Sequence, residues 1–362
     1  MKEKRIELIN PFIIDVEPMD RLLLVNFEKD PDSVYIGFEP QVFNDSLHGK
    51  GHLIIAWRGD GKVDVYHESS LTLKKENYDI VGNGLENMIP TDFSNAFYEI
   101  NDTGVKANYQ FDDFYNRRIK IIITEENPKK RKPFSLLAPM GDAAKNPSAL
   151  PLIFLHDFYF VRRKATELKI SIDEKLHQPD ALPVPMDGAK MFYTRYSPRP
   201  LIARFNPAFN GVISPVYLFL DQKKISNKDY DIHIQWENDL PGIKSIVRKN
   251  QTYPIRLDFP EVFPNIRSLE NSAVYEGTFV ISGDAAVGNI SGHYHVERTD
   301  HAINLKLVPS GGWKPKPTKV SLNILYIVAK IFTTWPKTYK WTATIHHDNG
   351  QNLQKNSRWE RI

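Results

Sequence analysis

The amino-acid sequence predicts an all-β protein, built as two antiparallel β-barrel or sandwich domains with few short helices. Three observations carry that prediction. Apolar and polar residues alternate with period two along most of the chain, the spacing of a half-buried strand. The alternating runs are short and regularly spaced, with Gly, Pro, Asn and Asp at the breaks, as in sandwiches and barrels. The 25 prolines among 362 residues disfavour long helices, because each removes a backbone donor and crowds the preceding turn.

The elements follow in order. SVYIGFEPQVF (33–43) and HLIIAW (52–57) alternate as strands, and Asp60-Gly61 marks a hairpin turn into KVDVYHES (62–69). Arg58-Gly59-Asp60 also spells a cell-adhesion tripeptide, but a turn between two strands accounts for it. KANYQF (106–111) and RRIKIIITE (117–125) make a second hairpin with Asn116 near its tip. LPLIFLHDFYFVRR (150–163), ELKISID (167–173) and AKMFYTRY (189–196) come next. Past Pro207 the strand candidates are VYLFL (216–220), YDIHIQW (230–236), YPIRLDF (253–259), AVYEGTFVI (273–281), NISGHYHVER (289–298) and AINLKLV (302–308).

A change of register within SPRPLIARFNPAFNG sets a boundary near 200–212, giving domains 1–205 and 206–362. NYDIV at 77–81 echoes DYDIH at 229–233, too short a match to establish a repeat. SLNILYIVAKIF (321–332) reads two ways. Val320, Ile324, Ile327 and Ile331 have helical spacing, suiting a helix across a barrel mouth, while the β-branched content suits a buried strand.

Hydrophobic residues at 41% and aromatics at 12% supply packed cores, and 25% charged residues argue against global disorder. A net charge of +3 is too small for a nucleic-acid partner. The one basic run, Lys129–Lys132, lies between Pro128 and Pro133 and reads as a solvated loop. The absence of cysteine excludes disulfides, thiolate zinc sites and a cysteine nucleophile. Charges and prolines interrupt the first twenty residues, so neither a signal peptide nor a membrane span is expected, and the expected compartment is the cytoplasm. Phosphate-binding GxxxxGKS/T, HExxH, GxSxG and a strand-to-helix GxGxxG are all missing, and no cofactor is expected.

Four clusters are candidates for chemistry. In GHYHVER (292–298), His293, His295 and Glu297 share one face of a strand, with the two imidazoles roughly 6.5–7 Å apart. That face reads first as the wet side of an ordinary strand or a pocket wall. A metal site, which would need His301, His346 or His347 as further ligands, ranks last, and no bound transition metal is expected. In LPLIFLHDFYFVRR, Leu152, Phe154, Phe158 and Phe160 alternate with Ile153, Leu155, Tyr159 and Val161, so the strand is buried on both faces. His156 and Asp157 interrupt it. A buried carboxylate needs a partner or a proton, and Arg195 is the partner expected. Without a bulge the two side chains point to opposite faces. In DGAKMFYTRYSPRP, Tyr193 and Arg195 share one face and Phe192, Thr194 and Tyr196 the other, a pairing suited to an aromatic-lined pocket or to plain packing. Residues 313–341 combine Trp313, Trp335 and Trp341 with lysines, which suits either a barrel wall or a peripheral contact with lipid.

SVYIGFEPQVF followed by GKGHLIIAWRGDGKVDVYHES, the mid-chain LPLIFLHDFYFVRR, and Gly292, His293, Tyr294 and His295 together resemble the calycin-type, lipocalin-like proteins related to hydroxyneurosporene synthase (carotenoid 1,2-hydratase) and, more loosely, tocopherol cyclase. The resemblance implies two lipocalin-like barrels around an apolar substrate. The aspartate and tryptophan of the family's motif have no counterpart beside His293 and His295.

The expected function is binding of an apolar isoprenoid- or lipid-like molecule in a barrel cavity, with hydration, isomerisation or cyclisation by an internal acid if there is catalysis. Asp157 is the first candidate acid, then His156, His293 and His295, with Tyr159, Tyr193, Arg195, Tyr196, Trp57 and Glu297 as ligand contacts. A carbohydrate-binding or carbohydrate-active β protein is the alternative, and a non-catalytic scaffold the blander one. Aromatic rings turned inward favour lipid, and rings exposed in a groove favour sugar.

Overall fold

The period-two runs become strands, and their alternation decides which side chains each strand buries. The structure is a computed structural model that describes residues 5–78, 84–138, 146–250, 252–328, 331–347 and 353–362. Strand accounts for 60% and helix for 6%, so the protein is all-β. The last three residues of NYDIV and residues 329–330 of the ambiguous segment lie outside the described ones, as do the side chains of Ile331 and His347.

Ten strands from residues 14–205 form one sheet. Its path runs Ile14–Pro18, Arg199–Phe205, Leu150–Arg162, Met191–Ser197, Arg21–Asn26, Tyr35–Asp45, Gly49–Arg58, Val63–His67 and Leu85–Pro90, with Phe134–Ala138 paired to Leu150–Arg162 off that path. A five-stranded sheet, Lys175–His177, Thr166–Ile172, Arg118–Glu125, Gly104–Asp112 and Asn95–Asn101, covers one face of it. Tyr66 packs on Phe111 with ring centres 4.9 Å apart, and the buried Arg162–Glu125 ion pair closes at 2.6 Å.

A second ten-stranded sheet uses only residues after 208. Its path is Phe209–Ile213, Leu353–Arg361, Tyr339–His347, Ala302–Lys314, Asn289–Arg298, Val274–Ser282, Ile255–Phe263, Leu240–Arg248, Tyr230–Glu237 and Lys224–Ser226, mostly an antiparallel meander. The N-terminal arm forms a two-stranded sheet with a segment of the second half and packs its Phe12 against this ten-stranded sheet. Ile6–Leu8 pairs with Val216–Leu218, the Phe12 ring lies 4.9 Å from Phe263 and 5.3 Å from Phe259, and Lys355 Nζ donates to the Pro11 carbonyl at 2.9 Å.

The segment that reads as either helix or strand forms two short helices, Val320–Val328 and Ile331–Thr334. Pro315, Pro317 and Pro336 flank it and cannot donate to a strand ladder, and the Leu322 and Asn323 amides donate to the Lys319 carbonyl at 3.1 and 3.3 Å. Tyr326 and Phe332 pack on Trp313 with ring centres 5.2 and 5.5 Å away.

One local irregularity redirects the first sheet. Phe134 pairs with Phe158 but Leu136 pairs with Leu155, so His156 and Asp157 together oppose Ser135. This is a β-bulge, and Asp157 sits in the left-handed region with φ 49°. The extra residue inverts the alternation beyond it. Ile153 and Leu155 therefore share a face with Phe158 and Phe160, and all four line one cavity. Strict alternation had separated these pairs.

Candidate functional site

The inner face of the first sheet encloses two chambers. The larger, about 420 Å³, is walled by Leu22, Leu24, Leu136, Ile153, Leu155, Phe158 and Phe160 and bordered by Tyr193 and Arg195. Ile324, Leu325 and Phe332 reach over it from the helical segment, so chain from the far half of the sequence covers a cavity built by the near half. The smaller chamber, about 110 Å³, is more polar: Glu17, Gln41, His48, Trp57, Glu76 and Arg204 line it. Glu17 and Trp57 come from an edge strand and from a strand near the opposite edge, so the sheet curls around this space. Glu39 and Ile153 border both chambers.

Glu39 is the buried carboxyl group of this cavity. It arrives by alternation: Tyr35–Asp45 turns Glu39, Gln41 and Phe43 to the inside, opposite Ile55 and Leu53 of the next strand. Gln41 Nε2 donates to Glu39 Oε1 at 2.8 Å, and Trp57 Nε1 donates to Oε2 at 3.2 Å. Burial pushes the Glu39 carboxyl above its ordinary value, outweighing those two hydrogen bonds and the Arg195 charge, which pull it down. No ion pair neutralises it among the described contacts. In the smaller chamber, by contrast, Glu17 meets Arg204 at 3.1 Å.

The sequence-predicted residues divide among several places. Tyr193 and Arg195 border the larger chamber, with the guanidinium 4.4 Å from the Tyr193 ring centre and Arg195 Nη1 donating to Asn26 Oδ1 at 2.6 Å. Trp57 lines the smaller chamber. Tyr159 and Tyr196 are buried outside the chamber linings. The Tyr159 hydroxyl donates to Asp187 Oδ2 at 2.8 Å, and Arg131 lies 5.7 Å from the Tyr196 ring centre.

The bulge corrects the expectation for Asp157. Its side chain is 38% exposed and pairs with Arg199 at 2.7 Å, not with Arg195. An outward kink at φ 49° removes the desolvation problem that strict alternation creates. His156 is buried where the two halves meet. Its ring lies 4.5 Å from that of Tyr253, its Nδ1 is 3.4 Å from Ser135 Oγ and 3.8 Å from Asp284 Oδ2, and burial lowers its pKa.

GHYHVER lies on the second sheet, remote from these chambers in chain and sheet order. His293 is exposed and His295 and Glu297 half-buried on its outer face, with Tyr294 and Val296 inside. Glu276, His295 and Lys306 form a cross-strand row, and His295 Nδ1 is 3.0 Å from Glu276 Oε1. His301 is exposed in the adjoining turn, and its carbonyl lies 3.3 Å from His346 Nδ1. Among the described residues no three His, Asp or Glu side chains gather closely enough to hold a metal ion.

Sequence reasoning missed Glu39 and Gln41. A signal was available, since YIGFEPQVF is apolar on both faces and carries one carboxylate, the same conflict that drew attention to Asp157. No family model matches the chain, and no curated protein or solved structure matches it.

Proposed function

We propose that this protein binds an apolar, isoprenoid- or lipid-like small molecule in the larger chamber, with Glu39 facing its reactive or polar end. The observation that carries this reading is the 420 Å³ apolar chamber ending on a single buried carboxyl group. A hydrocarbon gains roughly 0.8 kcal/mol per buried methylene, so such a chamber holds a long chain with few polar contacts. None of the six tryptophans is exposed, which favours lipid over sugar: Trp57 and Trp236 are half-buried and the other four buried.

If binding leads to chemistry, Glu39 takes the acid role first given to Asp157. The neutral carboxyl donates its proton to an alkene carbon. The resulting cation adds water, closes a ring onto a second double bond, or keeps its skeleton, and then loses a proton back to the carboxylate. Hydration, cyclisation and isomerisation are the respective products.

The test is titration with retinol or a fluorescent fatty acid. One saturable site per chain is expected, weakened at least about tenfold by Ala138→Trp, which fills the chamber. Absence of saturable binding, with retention on a polysaccharide column, would replace this reading with the carbohydrate one. Glu39→Gln should keep hydrocarbon binding and abolish any turnover.

A further inference from the structure

The helix that covers the larger chamber has a second apolar stripe. Leu322 and Tyr326 are buried beneath it, while Val320, Ile324 and Ile327, at i, i+4 and i+7, are 76%, 52% and 74% exposed. A helix apolar on the side facing away from its protein lacks a partner on that side. Within its own segment the charge has one sign. Residues 313–341 contain six lysines and no Asp or Glu. Lys314 and Lys316 are exposed just before the helix, and Lys319 Nζ donates to the Lys132 carbonyl. That bond brings the 129–132 basic loop, with Lys129, Lys130 and Lys132 all exposed, to the helix N-terminus. The two acidic groups among these contacts are engaged: Asp187 by Lys319 and Tyr159, and Asp102 by Lys130. The sequence had placed the basic loop and the apolar segment nearly two hundred residues apart.

We propose that this face docks on an anionic lipid bilayer, with Val320, Ile324 and Ile327 entering the headgroup–acyl boundary and the lysines of 129–132 and 314–319 meeting lipid phosphates. An apolar stripe framed by lysines is the chemistry of an interfacial helix. Docking also sets the covered chamber against the phase in which an apolar ligand dissolves, because Ile324 belongs both to the exposed stripe and to the chamber wall. The docking surface goes beyond the cavity reading and is tested without any ligand.

The experiment is flotation of the full chain with phosphatidylcholine vesicles, with and without phosphatidylserine. Flotation with the anionic vesicles only, decreasing as salt rises, is expected. Val320→Asp with Ile327→Asp alters exposed positions outside the chamber lining and should weaken vesicle binding at least about tenfold. Lys129→Glu and Lys316→Glu should each weaken it about fivefold. A cooperative thermal unfolding transition like that of the wild type shows that these variants fold. The proposal is overturned if the wild-type chain does not float, if the double aspartate variant floats equally well, or if the same variant abolishes a dimer formed without lipid, which would make a second copy the occupant. Absence of retinol binding by the wild-type chain, with vesicle binding intact, would sink the cavity reading alone.

Discussion

The two ten-stranded sheets begin from the same alternation of apolar and polar residues and end with different interiors. On the inner face of the second, Tyr294 lies edge-on to Phe259 and Phe263 at 5.6 and 5.3 Å, and Phe12 from the N-terminal arm fills the space beside Trp341. Gly277 opposite Tyr294 leaves room for the ring, since a Cβ there would come within 2.6 Å of it. On the inner face of the first sheet, leucine, isoleucine and phenylalanine surround an unfilled chamber and one carboxyl group. An inserted arm and large rings fill a curled sheet; a bulge and a helix laid over the opening leave it hollow. The two interiors also bury ionisable groups of opposite kind, Glu39 in the hollow region and Lys355 in the filled one.

Deleting Asp157 should break this contrast most severely. Removal of the extra residue returns strict alternation, turns Phe158 and Phe160 out of the chamber and brings Tyr159 and Val161 in. The expected result is loss of cooperative unfolding and of retinol binding, read by calorimetry and titration. Asp157→Gly keeps the bulge and suits the positive φ, so it should retain both.

A smaller effect compares the two interiors directly. Phe12→Ala opens a void among closely packed rings and should cost about 3–5 kcal/mol by urea denaturation. Phe158→Ala enlarges a chamber that already exists. Its cost should be nearer about 2 kcal/mol, with retinol binding weakened. Equal costs would mean that the two interiors are packed alike.

The buried ionisable groups distinguish the interiors through pH dependence, and their signs oppose. Burial pushes the Lys355 ammonium down to about 8 from 10.5. Its folded-state penalty is complete below about 8 and disappears by about 10.5, so stability relative to Lys355→Met should rise with pH across that window, by roughly 3 kcal/mol in all. Glu39 is raised from 4.5, so the folded state holds its proton more tightly than the unfolded chain does. Stability relative to Glu39→Gln should fall as pH rises above 4.5, and the two proteins should converge below it. Thermal unfolding of each pair across pH checks both slopes.

Much of the architecture was legible beforehand. Period-two runs and turn residues led to the strands. The site was less legible. His156 and Asp157 interrupt a doubly apolar strand as a polar pair, and a bulge is there, but its consequence is a change of face for Phe158 and Phe160. Tyr193, Arg195 and Trp57 were named from residue type and border the chambers. Glu39 carries the same signal, a lone carboxylate in a strand apolar on both faces, but which cavity it borders depends on the curl of the sheet.

The sequence by itself determined that the chain is all-β and which residues alternate, because side-chain period is a property of neighbouring residues. Among the described residues of the structure, no helix is long and apolar enough to cross a membrane. Only the tertiary structure decided that one sheet is hollow and the other filled, that the N-terminal arm serves the far sheet, and that a helix with the Lys129–Lys132 loop beside it covers the chamber. Those outcomes depend on contacts between residues far apart in the chain, and a bulge that adds one residue changes the face of Phe158 and Phe160.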